Sequence, residues 1–251
     1  SSAASDVYKR QPVLPAPLLP ELSKLLARLP VQDDGEALRQ SLFHSGTHFN
    51  PDLLTSEAER RARLEGVHAA LDRAESLVFL DTESTGGRNG RLIEVALVET
   101  DVEQNVTGGL HFRCNPHRRS LAGARRVHGI QDCELEHCPE FAARADELLE
   151  AVRGKTVVIH DRTMDLLWLN RELQAARPGA PRFEDRCTVV DSFVLARAIP
   201  SERRRNGLDA LLEWYGLGAR GGHHDAYGDA ALLSRVFFEL WWDLDEWLYG
   251  E

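Results

Sequence analysis

Five side chains in this sequence have the types and settings to carry out hydrolysis: Asp81, Glu83, Asp165, His224 and Asp229. The apolar run Leu77-Val78-Phe79-Leu80 stops in Asp81-Thr82-Glu83-Ser84-Thr85-Gly86, the pattern of a buried strand ending at a functional loop. Side chains alternate along a strand, so Asp81 and Glu83 share one face and Thr82 points away. Two adjacent carboxylates repel each other, and an unpaired ionised acid beside a core is costly, so a divalent cation is the natural neutraliser. All-oxygen ligation suits Mg2+ or Mn2+ rather than Zn2+. Taken alone, Asp-x-Glu is also what a solvated strand end looks like.

The other three residues sit where helices begin. His224-Asp225-Ala226-Tyr227-Gly228-Asp229 leads into an apolar pattern of helical spacing, which puts Asp229 in an early turn of a long helix. An acid there is ordinary dipole compensation when considered by itself. His224 follows Gly221-Gly222 on a flexible segment, and a neutral imidazole can take a proton from an attacking water. Asp165 follows the β-branched run Thr156-Val157-Val158-Ile159 and opens a helix whose apolar face is Leu166, Leu169 and Leu173. Alone, it too reads as a helix-start acid.

The order and context of these segments resemble the DnaQ-like, or DEDDh, family of 3′–5′ exonucleases over about residues 76–240. The resemblance is carried by Asp81-Thr82-Glu83-Ser84-Thr85-Gly86, Arg91-Leu92-Ile93-Glu94-Val95-Ala96 and Phe112-Arg113-Cys114-Asn115-Pro116. It continues through Arg126-Val127-His128-Gly129-Ile130, Val190-Asp191-Ser192, Asn206-Gly207-Leu208-Asp209-Ala210-Leu211 and the spacing from His224 to Asp229. It implies a ribonuclease H-like α/β fold with a mixed five-stranded sheet. Strand patterns at about 77–81, 92–99, 109–113, 157–160 and 187–190, alternating with helices, agree with that fold.

The resemblance also implies two divalent cations, Mg2+ or Mn2+, held by Asp81, Glu83, Asp229 and Asp165, with His224 as general base. Thr82, Ser84, Thr85, Gly86 and His128 become the expected substrate contacts. The implied reaction releases nucleoside monophosphates from the 3′ end of DNA, in proofreading or repair, with a DNA polymerase as partner. RNA or short oligonucleotides are the competing substrates, since hydrolysis does not itself read a 2′-hydroxyl. A non-catalytic module that binds nucleic acid or a polymerase has no need of all five residues. The chain departs from the family at Asp161, where Asn is usual, and at Met164, where Phe is usual. Asp161 adds negative charge beside the expected site, while Met164 keeps an apolar plug.

A chain of 251 residues, 43% hydrophobic, can bury a full core. Its net charge of −10 opposes phosphate attraction overall. The basic residues are clustered, however, at Arg118-Arg119, Arg125-Arg126 and Arg203-Arg204-Arg205, the last three being candidate phosphate contacts. Residues 1–20, polar and then proline-rich, read as disordered or foreign to the fold. Residues 21–75 read as a helical extension, with a capping-box start at Ser56-Glu57-Ala58-Glu59. The exonuclease domain is expected over 76–242, and 243–251 as an acidic, aromatic tail that either pins the last helix or docks a partner. The four cysteines form no recognised zinc spacing; Cys133, His137 and Cys138 give at most a faint metal pattern. Reduced thiols and a cytoplasmic location are expected. No apolar run approaches a membrane span.

Overall fold

The structure, a computed structural model, describes residues 56–250; the expectations for residues 1–20 and for most of 21–75 lie outside them. The elements are α1 (Glu57–Leu71), β1 (Ser76–Ser84), β2 (Leu92–Asp101), β3 (Val106–Arg113), α2 (Ala122–His128) and α3 (Asp132–Leu135). They continue with α4 (Ala145–Ala151), β4 (Thr156–Ile159), α5 (Thr163–Ala176), β5 (Thr188–Asp191), α6 (Ser192–Ala198), α7 (Leu208–Trp214) and α8 (Ala226–Tyr249). The sheet order is β3-β2-β1-β4-β5. β1, β2 and β3 pair antiparallel, whereas β4 and β5 run parallel to β1. This is the mixed five-stranded sheet of a ribonuclease H-like fold.

Strand alternation divides the core in two. Leu77 and Phe79 of β1, with Ala96 and Val98 of β2, face a layer built from α1, α6, α7 and α8. Val78 and Leu80, with Val95 and Leu97, face α4 and α5, where Leu166, Leu169 and Leu173 form the expected apolar stripe. Phe79 is fully buried and meets Phe237 of α8 edge-on at 5.7 Å. Burying such a ring is worth about 1.5–3 kcal/mol. A sheet covered on both faces places the carboxyl ends of its parallel strands where helix starts from both layers can meet.

Ser56 caps α1 as its sequence indicates, its Oγ accepting the Glu59 amide at 3.2 Å. Two boundaries differ from the sequence reading. β1 runs on past Asp81 to Ser84, so Glu83 also lies inside the strand. The aromatic segment 243–251 is no separate tail: α8 continues unbroken to Tyr249. Its apolar period persists, with Leu240, Leu244 and Leu248 buried. Trp241 stacks on Phe238 at 6.1 Å, and Arg61 of α1 lies over Trp247 at 5.6 Å. His68 of α1 reaches Asp245 at 3.0 Å and Asp72 at 3.1 Å. The rings thus zip α8 to α1, the pinning alternative. Among the described residues no helix is long and apolar enough to cross a membrane.

Candidate active site

β1 delivers Asp81 and Glu83 to the face covered by α8, and α8 delivers Asp229 from its first turn. Ligand atoms of Glu83, His224 and Asp229 lie within 4.8 Å of one another. Asp165 arrives from the other layer, in the first turn of α5. Thr82, which points away from its neighbours, donates its hydroxyl to Asp165 Oδ1 at 2.7 Å. The site therefore straddles the sheet, with Thr82 tying the far-side acid to β1.

Charge in this cluster is poorly compensated. Burial pushes the Asp81 carboxyl well above its ordinary range, and Asp165, Glu83 and Asp229 push it further. Burial, then Asp229 and Glu94, raise Glu83 to about 8. Burial also raises Asp165 to about 7 against the Thr82 hydroxyl and its own amide, with Asp161 among the charges that add to the rise. Asp161 thus acts as its type indicated. A carboxylate set that resists ionisation at neutral pH lacks positive charge. Its hard oxygens, joined by one imidazole, fit a small divalent cation. Cys133 and Cys138 take no part in this cluster; Cys138 Sγ instead approaches the Glu134 carbonyl.

Two participants were not singled out from the sequence. Arg220 is the first: its Nη1 donates to Asp229 Oδ2 at 2.7 Å and lies 2.7 and 3.1 Å from the two ring nitrogens of His224. Its Nε lies 2.8 Å from Asp209 Oδ1. A guanidinium only donates, so it approaches the His224 ring as a donor to an acceptor nitrogen. The available signal was an arginine embedded in Gly218-Ala219-Arg220-Gly221-Gly222, just ahead of the histidine. Glu94 is the second. It is Glu83's partner across β1–β2 and only 1% exposed. Its Oε2 accepts the Ala226 amide at 3.0 Å, and its Oε1 accepts Arg113 Nε at 2.8 Å, with His111 at 3.1 Å. It anchors the start of α8, and hence Asp229, to the sheet. An acid inside Leu92-Ile93-Glu94-Val95-Ala96 was the clue.

The loop bearing His224 is docked on α2: the His224 amide donates to the Val127 carbonyl at 2.9 Å. Gly129 ends α2 at φ +73, and a Cβ there would come within 2.8 Å of the His223 ring, so both backbone shape and packing require glycine. His128 is 4% exposed, and its Nδ1 accepts the Ile130 amide at 3.0 Å. Ser84 and Thr85 are also buried, and their hydroxyl oxygens accept the Gly86 and Arg91 amides. These side chains therefore shape the loop. At its rim stand exposed Leu121, packed against Gly86, and exposed Val127.

The arginine triplet divides. Arg203 does not fit a phosphate contact: its side chain is 1% exposed and bonded to Asp243, Tyr215 and the Ala196 carbonyl. Burial among these acceptors makes it a strut between α6, α7 and α8. Arg204 and Arg205 are exposed and line a cleft of about 520 Å3 with Phe193, Arg197, Asn206 and Asp209. Through Asp209 and Arg220 that cleft adjoins the acid cluster.

An exonuclease family model, RNase_T, matches residues 78–237. The DNA polymerase III epsilon subunit of Rickettsia felis is 34% identical over 168 residues, which cover 65% of this chain and 72% of that protein. The Escherichia coli epsilon subunit is 33% identical over 172 residues, covering 65% and 70%. Among solved structures, E. coli exonuclease I bound to single-stranded DNA, in a zinc form, has a TM-score of 0.53 at 20% identity over 68% of this chain and 40% of its own. A 3′-exonuclease that recognises a histone mRNA stem-loop has a TM-score of 0.56 at 14% identity over 90% of this chain and 86% of its own.

Proposed function

The chain belongs to the exonuclease family whose model it matches and is a DnaQ-like 3′–5′ exonuclease, and on that premise we propose that it trims the 3′ end of DNA one nucleoside monophosphate at a time as a polymerase's proofreader. The observation that carries the chemical part is the meeting of Asp81, Glu83, Asp165 and Asp229 beside His224 with too little positive charge to ionise them all. The DNA and polymerase parts draw support from the epsilon-subunit relatives.

In this reading Asp81, Glu83, Asp165 and Asp229 would hold two divalent cations, Mg2+ or Mn2+. Such ions, when bound, supply Lewis acidity that favours deprotonation of water and stabilises the departing 3′-oxygen. His224 takes the proton of the attacking water on a ring nitrogen. Thr82 holds the Asp165 carboxylate in place, and Glu94 holds the helix start that bears Asp229. Exposed Leu121, beside Gly86, and exposed Val127 of α2 would offer apolar contacts to the terminal base. Arg204 and Arg205, which line the adjoining cleft, would attract backbone phosphates.

The test is hydrolysis of end-labelled single-stranded DNA, mismatched duplex and RNA of matched sequence. Faster trimming of mismatched than of matched DNA 3′ ends, with RNA left largely intact, is the expected pattern. RNA degraded in preference to DNA would overturn the substrate assignment.

A further inference from the structure

We propose that Arg220 is a built-in counter-ion that occupies the cation's place in the acid cluster and is displaced when a divalent cation binds, so that it sets the affinity of the site for its ions. The inference rests on the metal-dependent reading above. Its guanidinium stands where a cation would: Nη1 touches the inner oxygen of Asp229 and the His224 ring, two of the three groups whose ligand atoms converge. A guanidinium and a dication cannot share the same carboxylate oxygen, because their repulsion at such a distance is large where water is scarce. Occupancy is therefore exclusive.

The arm also has somewhere to go. Its Nε already lies 2.8 Å from Asp209, whose side chain is 71% exposed at the rim, whereas Asp229 is 6% exposed. Letting go of Asp229 while keeping Asp209 carries the charge outward, to the edge of the cleft lined by Arg204 and Arg205. Gly218, two residues before Arg220, has φ +93, a backbone shape that favours glycine, and a Cβ there would meet no atom within 4 Å. Arg220 thus gives the cluster a neutralising charge of the chain's own, and each ion taken up must displace it. Competition of this kind is a coupling between two cations for one site, ordinarily about 5–150-fold in affinity.

Titration calorimetry with Mn2+, beside thermal melting with and without Mn2+, tests this on the full chain. Arg220→Met should bind Mn2+ about fivefold or more tightly than the parent. It should also melt lower in chelator and gain more from saturating Mn2+. Arg220→Lys should fall between, since a lysine brings the charge without the fork. Asp209→Asn, a change at an exposed position, removes the outer resting place and should weaken Mn2+ binding; it serves where Arg220→Met does not fold. Equal or weaker affinity in Arg220→Met overturns the proposal, as does unchanged affinity in Asp209→Asn. A parent that binds no Mn2+ overturns the metal reading itself, and the proposal with it.

Discussion

Glu83 and Glu94 face each other across β1 and β2, yet the protein treats them in opposite ways. Burial alone would raise both. At Glu94 the Ala226 amide, Arg113 and His111 outweigh burial and hold the carboxyl below its ordinary value. At Glu83 the Arg220 charge opposes burial, but Asp229, Glu94 and Asp165 add to the rise and the carboxyl stays well above its ordinary value. Glu172 follows the Glu94 pattern, accepting Arg91 Nη2 at 2.8 Å and the Leu92 amide at 3.2 Å. The fold therefore surrounds Glu94 and Glu172 with donors, and it leaves a charge deficit where Asp81, Glu83, Asp165 and Asp229 meet. The deficit is the part that costs stability without a visible return in packing, which is why it points to function.

The largest expected effect falls on the deficit. Chelation should abolish hydrolysis and Mg2+ or Mn2+ should restore it; full activity in excess chelator would remove the distinction between the two kinds of acid. Within the cluster, His224→Ala should slow single-turnover cleavage by about 10²–10⁴-fold while leaving Mn2+ binding largely intact. Asp229→Ala should lose both. A His224 variant that loses the ion as badly as the Asp229 variant would make the histidine a ligand rather than a base.

On the structural side, Glu94→Ala leaves the buried Ala226 amide without its acceptor and frees the start of α8, so unfolding free energy should fall by about 1–3 kcal/mol. Chemical denaturation measures it, and a loss below about 1 kcal/mol would place Glu94 with the weak surface pairs. A smaller, pH-dependent effect belongs to the α1–α8 zipper. Burial would lower the His68 pKa, but Asp72 and Asp245 together raise it above 6.5. Its ion-pair contribution is thus fully present below the unfolded value of 6.5 and is lost as pH rises through the raised folded value. The gap in melting temperature between the parent and His68→Gln should accordingly be wider at about pH 6 than at about pH 8.5. The smallest effect is expected at the rim: replacing Arg204 and Arg205 should reduce the salt slope of DNA binding by about two, one for each phosphate that is no longer neutralised. An unchanged slope returns them to a solvated face.

Sequence patterns revealed the elements whose periodicity is local. The β1 run, the α5 stripe and the long apolar period of α8 all lie where those patterns indicate, and Asp165 and Asp229 fall in first turns as expected. What local pattern could not supply was pairing at a distance. Arg203 and Arg204 are adjacent and identical in type, yet one is a buried strut and the other lines a cleft, because Asp243 and Tyr215 lie beside only the first. The same holds for Thr82, Glu94 and Arg220, whose partners are 83, 132 and 9 residues away. The end of the domain was misplaced for a different reason. Charge in Asp243-Leu244-Asp245-Glu246 reads as a tail until α1 is there to receive His68–Asp245.

Because Asp81 and Asp165 reach the site from opposite faces of the sheet, and Asp229 only from the last helix, no half-built chain can hold the complete set. During synthesis β1 emerges long before α8, so the ribosome releases the last acid after every strand has already been made. The four acids can meet only once α8 has packed on the finished sheet.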